Sequence, residues 1–329
     1  IKNCRVGQGD IQVAKDGTVA AIASQTSGSC QTHDGRNVPR GSALVDMRDV
    51  YDPLVVGSAP EPGGSHNQTI HPSGDYLYIS ISSGSGKIPI FDIRDPENPR
   101  KVRDWNPGSG NNPHDIRFSD DGKRAYMAGI AQFRIVNTEN PESPVLISSF
   151  TPPGSTIGHD VLVTPDKRFL FAGDELNGGS TAPCPGGAIY TYDIGDEANP
   201  RLIGIAEAGG GPVIGFQADT PYPTGGTGGC TSHVMDMNPD KKSLSIGWYV
   251  LGTRTFSWAS LYNADGTPKN VQGVTFTWGS RATGDGLVET GYIIPQGANT
   301  WAAKQYHRVP GYIFSDDLNL GFYITKVKS

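Results

Sequence analysis

The chain has little charge: Asp, Glu, Lys and Arg make up 18% of its residues, and the net charge is −6 with no basic stripe. That balance argues against nucleic acid as a partner, because phosphate binding needs clustered Lys and Arg. Long apolar runs are also missing. None approaches the roughly 18 to 20 residues of a membrane-spanning helix, so no membrane span is expected. Only four cysteines occur, at 4, 30, 184 and 230, and none forms a CxxC pair or a zinc-ligand spacing. There is no Gly-x-Ser-x-Gly elbow, P-loop or dinucleotide fingerprint, and Gly209-Gly210-Gly211 lacks the flanking strand and helix that would make it a phosphate cradle. The familiar nucleophile and nucleotide signatures are thus excluded.

Stretches free of glycine and proline are scarce as well. With 44 Gly and 25 Pro in 329 residues, long helices have little room and closely spaced turns between short strands are favoured. At 36% hydrophobic residues, the chain can still bury a sizeable core.

What is present repeats. Asn112-Pro113-His114-Asp115 leads into a short alternating strand, an Asp120-Asp121-Gly122 turn and a second strand through Tyr126. Ser65-His66 through Ile79 and Gly158-His159-Asp160 through Phe171 say the same. A second element follows each copy: an Asp or Asn at 46, 92, 137 and 193, leading into an Asp-Pro or Asn-Pro turn, at spacings of 46, 45 and 56 residues. This period, with about four strands per copy, predicts an all-β chain folded as a single β-propeller domain over residues 1–329. Six four-stranded blades are expected, with seven the other count. The first begins at Asp10 and the next three near His66, His114 and His159. The fifth begins at His233 and carries an insertion around 264–285, and the sixth begins at Trp301 with only three strands. The N-terminal segment from Lys2 to Gly7 is expected to supply the missing strand and close the ring, removing exposed sheet edges.

Matching the copies puts His66, His114, His159 and His233 at one position in four consecutive blades, with Asp10 and Trp301 at that position in the first and last. Imidazoles so placed should converge where inner strands begin, either as acid/base and hydrogen-bonding groups or as ligands for iron, copper, zinc or manganese. A purely structural ring that satisfies backbone groups is the bland reading, with Asp115 and Asp160 bracing the histidines. His33 and His71 read as surface residues; His307 is ambiguous. Three loops, 24–42, 174–187 and 209–232, fall on the expected histidine face, and each carries a cysteine, which reads as a pinned lid over a pocket. Phe216, Tyr222 and Trp248 are candidates for its apolar walls, beside Trp301 and Asp10 as substrate contacts.

Disulfides are the favoured use of the cysteines, with Cys4–Cys30 and Cys184–Cys230 the most local of three pairings. This points to secretion or a secretory-pathway lumen. A start at Ile1 fits a removed leader, and a trimmed chain reads the same. Asn67-Gln68-Thr69 is the only glycosylation sequon, and its place in an expected strand speaks against modification.

The element Ile90-Phe91-Asp92-Ile93-Arg94-Asp95-Pro96, with its copies, resembles the repeat of the LVIVD-type propeller family, and Asp317-Leu318-Asn319-Leu320-Gly321-Phe322 resembles that family's closing blade. In overall character, the chain also resembles secreted fungal propellers that carry out hetero-Diels–Alder cyclisation in tropolone-sesquiterpenoid biosynthesis. That resemblance implies a small, largely apolar substrate and no cofactor. The histidines would help to dehydrate a hydroxymethyl tropolone to a quinone methide, and the aromatics would hold the alkene. A divalent-metal oxygenase or polysaccharide lyase using the four histidines, and a non-enzymatic binding propeller, are the other readings. Oligomeric state cannot be read from this sequence.

Overall fold

A computed structural model describes residues 4–5, 9–24, 29–81, 86–108, 112–175, 187–206, 229–273, 286–306 and 308–327. Among them the fold is all-β, with short 3-10 turns at Pro239–Lys241 and Ala259–Leu261 as its only helices. Six blade-like sheets follow one another along the chain, five of four antiparallel strands and one of three, giving a six-bladed β-propeller. No helix among the described residues is long and apolar enough to cross a membrane.

The chain divides into two compact units, residues 1–149 and 150–329. In the first unit, the strands Ile11–Val13, Val19–Ser24, Gly41–Asp46 and Leu54–Pro60 form blade one. Blade two is Asn67–Ile70, Tyr76–Ser80, Ile88–Asp92 and Arg100–Trp105, and blade three is Pro113–Phe118, Arg124–Gly129, Phe133–Asn137 and Val145–Phe150. The second unit contains blade four, Gly158–Val163, Phe169–Asp174, Ala188–Asp193 and Arg201–Ala206, and blade five, Met235–Asn238, Ser243–Gly247, Thr253–Ser257 and Val288–Ile293. Blade six is Thr300–Gln305, Tyr312–Asp317 and Gly321–Lys326.

The repeated turn explains why each hairpin forms. Ser119 Oγ donates to Asp121 Oδ1 at 2.6 Å, and the Lys123 amide donates to the same oxygen at 3.1 Å, so the carboxylate ties the turn to itself. Gly122 takes the left-handed position at φ 70°, and a Cβ there would lie 2.7 Å from the His71 ring. Blade four repeats the arrangement with Thr164 and Asp166 and places Lys167 at φ 58° in the glycine's position. The Asp-Pro elements close similarly: Asp196 accepts from the Ala198 amide and the Asn199 side chain, as Asp95 does from Glu97 and Asn98.

Between blades, apolar side chains pack in layers. In the first unit, Leu77, Ile79, Phe91 and Leu44 share one cluster, and Ile88, Ile90, Met127 and Val136 share the next. In the second unit, Phe169, Phe171, Leu244, Trp248, Phe256 and Trp258 form a large aromatic core.

Two expectations need correction. Cys4–Arg5 does not extend the last blade: it pairs with Ser29–Cys30, where the Cys4–Cys30 disulfide holds it, and blade six keeps three strands among the described residues. His71 is not a surface residue. It is 7% exposed, bonds through Nε2 to the Gly122 carbonyl at 2.9 Å and packs edge-on against Phe118, bracing blade two against blade three. His33 is exposed, as expected.

Candidate active site

Three of the inner strands begin with the same irregularity. The register slips between Pro113 and Asp115, between Gly158 and Asp160, and between Thr300 and Ala302, so His114, His159 and Trp301 each sit on a bulge. A bulge re-aims the side chain it carries. The equivalence of Trp301 with His114 and His159 is thus visible in the backbone.

In the first unit His66 and His114 meet. Their Nε2 atoms are 3.0 Å apart, and the rings lie edge to face with centroids 4.6 Å apart. The Asn67 side-chain nitrogen lies 3.4 Å from His114 Nδ1. Burial pulls the His66 pKa below its ordinary value, and the Asp10 charge opposes that. Asp10 itself accepts from Gln12 Nε2 at 2.7 Å. The Asn67 side chain, half-buried, thus lies against His114.

In the second unit His159 and His233 meet over a carboxylate absent from the sequence-based candidates. Glu175 follows directly on the strand Phe169–Asp174, and its amide donates to the Ile157 carbonyl at 2.8 Å. His159 Nε2 lies 3.7 Å from Glu175 Oε2, and His233 Nε2 lies 3.9 Å from Oε1. The two imidazole rings are tilted 45° to each other, with centroids 3.9 Å apart. His233 Nδ1 is 2.9 Å from the Trp301 carbonyl, which only accepts, so Nδ1 carries a proton and Nε2 faces the cluster. The Trp301 indole stacks on His233 at 4.9 Å, and its Nε1 donates to the Tyr249 hydroxyl at 3.0 Å. That hydroxyl in turn donates to Glu175 Oε1 at 2.5 Å.

The electrostatics of this cluster are unusual. Burial pushes the Glu175 pKa up to about 7, the Tyr249 hydrogen bond holds it down somewhat, and the neighbouring Asp174 charge adds to the rise. Tyr249 is raised by burial and by Glu175, so it remains a proton donor. Asp174 is held in place by Ser155 Oγ and the amides of Thr156 and Ile157 on one oxygen, while its carbonyl accepts from the Thr231 and Ser232 hydroxyls. A buried carboxyl poised near neutrality beside two imidazoles can give up and recover a proton at physiological pH.

Each unit thus brings one pair of the expected histidines together; the Asp10 charge acts on His66 in the first, and Trp301 stacks on His233 in the second. Trp248 is elsewhere: it is fully buried in the second unit's core, packed on Phe256, and is a packing residue there. Phe216, Tyr222, His307 and Cys184 lie outside the described residues, as does most of the expected lid. Asp115 and Asp160 bond to backbone amides and not to the imidazoles they were expected to brace: Asp160 accepts from the amides of Val161 and Met235, both at 2.7 Å, and Asp115 from Ile116. Glu175 and Tyr249 gave no motif signal. Glu175 opens an expected loop, and Tyr249 stands in Gly247-Trp248-Tyr249-Val250, which reads as one more apolar strand.

Comparison with solved structures defines the class as β-propeller. A Bacteroides uniformis protein described as a candidate 6-phosphogluconolactonase matches at TM-score 0.65 and 12% identity, over 97% of this chain and 80% of its own. The periplasmic gluconolactonase PpgL of Pseudomonas aeruginosa matches at TM-score 0.61 and 12% identity, over 97% and 81%. The β-propeller domain of Cps50 (Swd1) from Myceliophteria thermophila matches at TM-score 0.57 and 10% identity, over 97% and 83%. At such identities the shared property is the fold. No protein-family model and no curated protein matches the chain, so the likeness to the LVIVD-type repeat stands on the repeat motifs alone.

Proposed function

We propose that this propeller is an enzyme using the Glu175 cluster for acid–base chemistry on a small, uncharged organic molecule. The observation that carries the reading is the buried Glu175 carboxyl, with a pKa of about 7, set between His159 and His233 and hydrogen-bonded by Tyr249. The gluconolactonase names among the structural neighbours support small-molecule enzymology on this fold. The particular reaction we assign is hetero-Diels–Alder cyclisation, following the resemblance to the fungal tropolone-sesquiterpenoid propellers. In it, Glu175 protonates the hydroxyl of a hydroxymethyl tropolone as its C–O bond breaks, and an imidazole takes the tropolone O–H proton. Water leaves, and the resulting quinone methide adds to an alkene held beside it, forming one C–C and one C–O bond. The Cys4–Cys30 disulfide fits an oxidising compartment, and we place the protein in the secretory lumen or outside the cell.

A metal centre is the rival reading, favoured by one observation: the His66 and His114 Nε2 atoms, 3.0 Å apart, have about the separation of neighbouring ligands on one ion at roughly 2.0–2.1 Å. The test supplies purified protein with a hydroxymethyl tropolone and an alkene, or with gluconolactone, and follows product by chromatography. Metal content is measured in parallel. Cycloadduct formation that falls about 100-fold or more in Glu175→Gln and survives chelation supports the proposal. Stoichiometric metal lost in His114→Ala, with activity lost on chelation, gives the site to the metal. Lactone hydrolysis alone would replace the assigned reaction, and no turnover of either substrate would point to a binding propeller.

A further inference from the structure

The oxygens of Glu175 are not equivalent. We infer that Tyr249 confines the transferable proton of Glu175 to Oε2 and so makes His159 the imidazole that works with it, leaving His233 to position. This rests on the acid–base reading above and divides its roles.

The Trp301 indole can only donate, and it donates to the Tyr249 oxygen, so the Tyr249 proton points onward to Glu175 Oε1. The carbonyl oxygen of a protonated carboxyl is its stronger acceptor, so with Oε1 taking this 2.5 Å bond the acid proton is favoured on Oε2. Oε2 is the oxygen 3.7 Å from His159 Nε2, whereas His233 faces Oε1. Nδ1 of His233 is committed to the Trp301 carbonyl and its ring lies flat on the indole, an arrangement that fixes the ring rather than freeing it for exchange.

Tyr249 is held for this purpose at a backbone cost. It lies at φ 37°, in the left-handed region that a bulky side chain seldom occupies. Reciprocal bonds with Thr300, each 2.9 Å, and the Gly252 amide on its carbonyl lock it there. A strained aromatic whose hydroxyl meets a buried acid is the pattern expected where geometry serves function. The titratable groups facing Glu175 in this unit are Asp174, His159, His233 and Tyr249.

In the reaction, the Oε2–H bond breaks as an O–H bond forms on the substrate's departing hydroxyl, and His159 Nε2 takes the substrate's acidic proton. The enzyme is left with a carboxylate and an imidazolium. Return of that proton from His159 to Oε2 restores it, so the protons balance over one turnover.

The test follows the Glu175 carboxyl stretch against pH by difference infrared spectroscopy of the full chain, the band being assigned by its loss in Glu175→Gln. No substrate is needed, so this readout can fail independently of the activity. In the native protein one narrow band should titrate near 7. Tyr249→Phe should move the midpoint upward and split or broaden the band as the proton gains access to both oxygens. If Tyr249→Phe does not fold, Trp301→Phe, which removes the donor behind the hydroxyl, should also change the band. In turnover assays, His159→Gln should lower kcat about 100-fold with KM little changed, and His233→Gln less than about tenfold. An unchanged band and midpoint in both Tyr249→Phe and Trp301→Phe would overturn the assignment, as would equal kcat losses in the two histidine variants.

Discussion

At the residue scale, Glu175 couples the candidate chemistry to stability. A carboxyl raised to about 7 in the folded protein binds its proton more tightly there than in the unfolded chain. Its contribution is therefore intact below the ordinary carboxylate range and is lost as pH climbs toward 7, where a bare carboxylate must stay buried. Glutamine keeps the shape and the acceptor for Tyr249 without that cost. Glu175→Gln should consequently melt at nearly the native temperature at pH 4, and its relative stability should grow to on the order of 3 kcal/mol by pH 8. Calorimetry of both proteins across this range checks it, and a constant gap would show that Glu175 has an ordinary pKa.

At the element scale, side chains tie inner strands together where backbone pairing stops. Asp160 is fully buried, and its two oxygens take the amides of Val161 and Met235, linking blades four and five. Asp236 does the same for the Gln305 amide, and the Ser245 hydroxyl for the Ala303 carbonyl. Asp160→Ala strands two buried N–H groups and should cost about 3 kcal/mol or more, measured by denaturant unfolding. Asp160→Asn, which retains one acceptor, should recover part of the loss. The sequence singled out Asp115 and Asp160 because they follow the aligned histidines, but as supports for the imidazoles; that Asp160 takes backbone amides of two blades is visible only in the structure. Nor was the burial of His71 legible: a His-Pro-Ser-Gly turn reads as exposed, and only the approach of the Gly122 turn buries it.

For the molecule as a whole, the Cys4–Cys30 disulfide replaces the expected strand exchange as the anchor of the N-terminal segment. It closes a loop across a sequence separation of 26, for which chain entropy gives roughly 3–4 kcal/mol. A Cys4→Ser/Cys30→Ser variant should lose stability of that order, read as a lowered Tm. The blade plan itself was legible because each hairpin is local: an alternating strand, an Asp-centred turn and a partner strand lie within about 15 residues, and the period repeats. The histidine positions follow from that period. What the period cannot reach is the contact between Glu175 and Tyr249, which are 74 residues apart.

The sequence alone therefore determined the all-β repeat and the blade starts, and it aligned His66, His114, His159 and His233, since these depend on local strand and turn chemistry. Only the tertiary structure decided that His159 and His233 close on Glu175, that Tyr249 and Trp301 orient it, and that its pKa rises. Desolvation and hydrogen-bond direction arise from which distant segments exclude water together, and residue order does not display that.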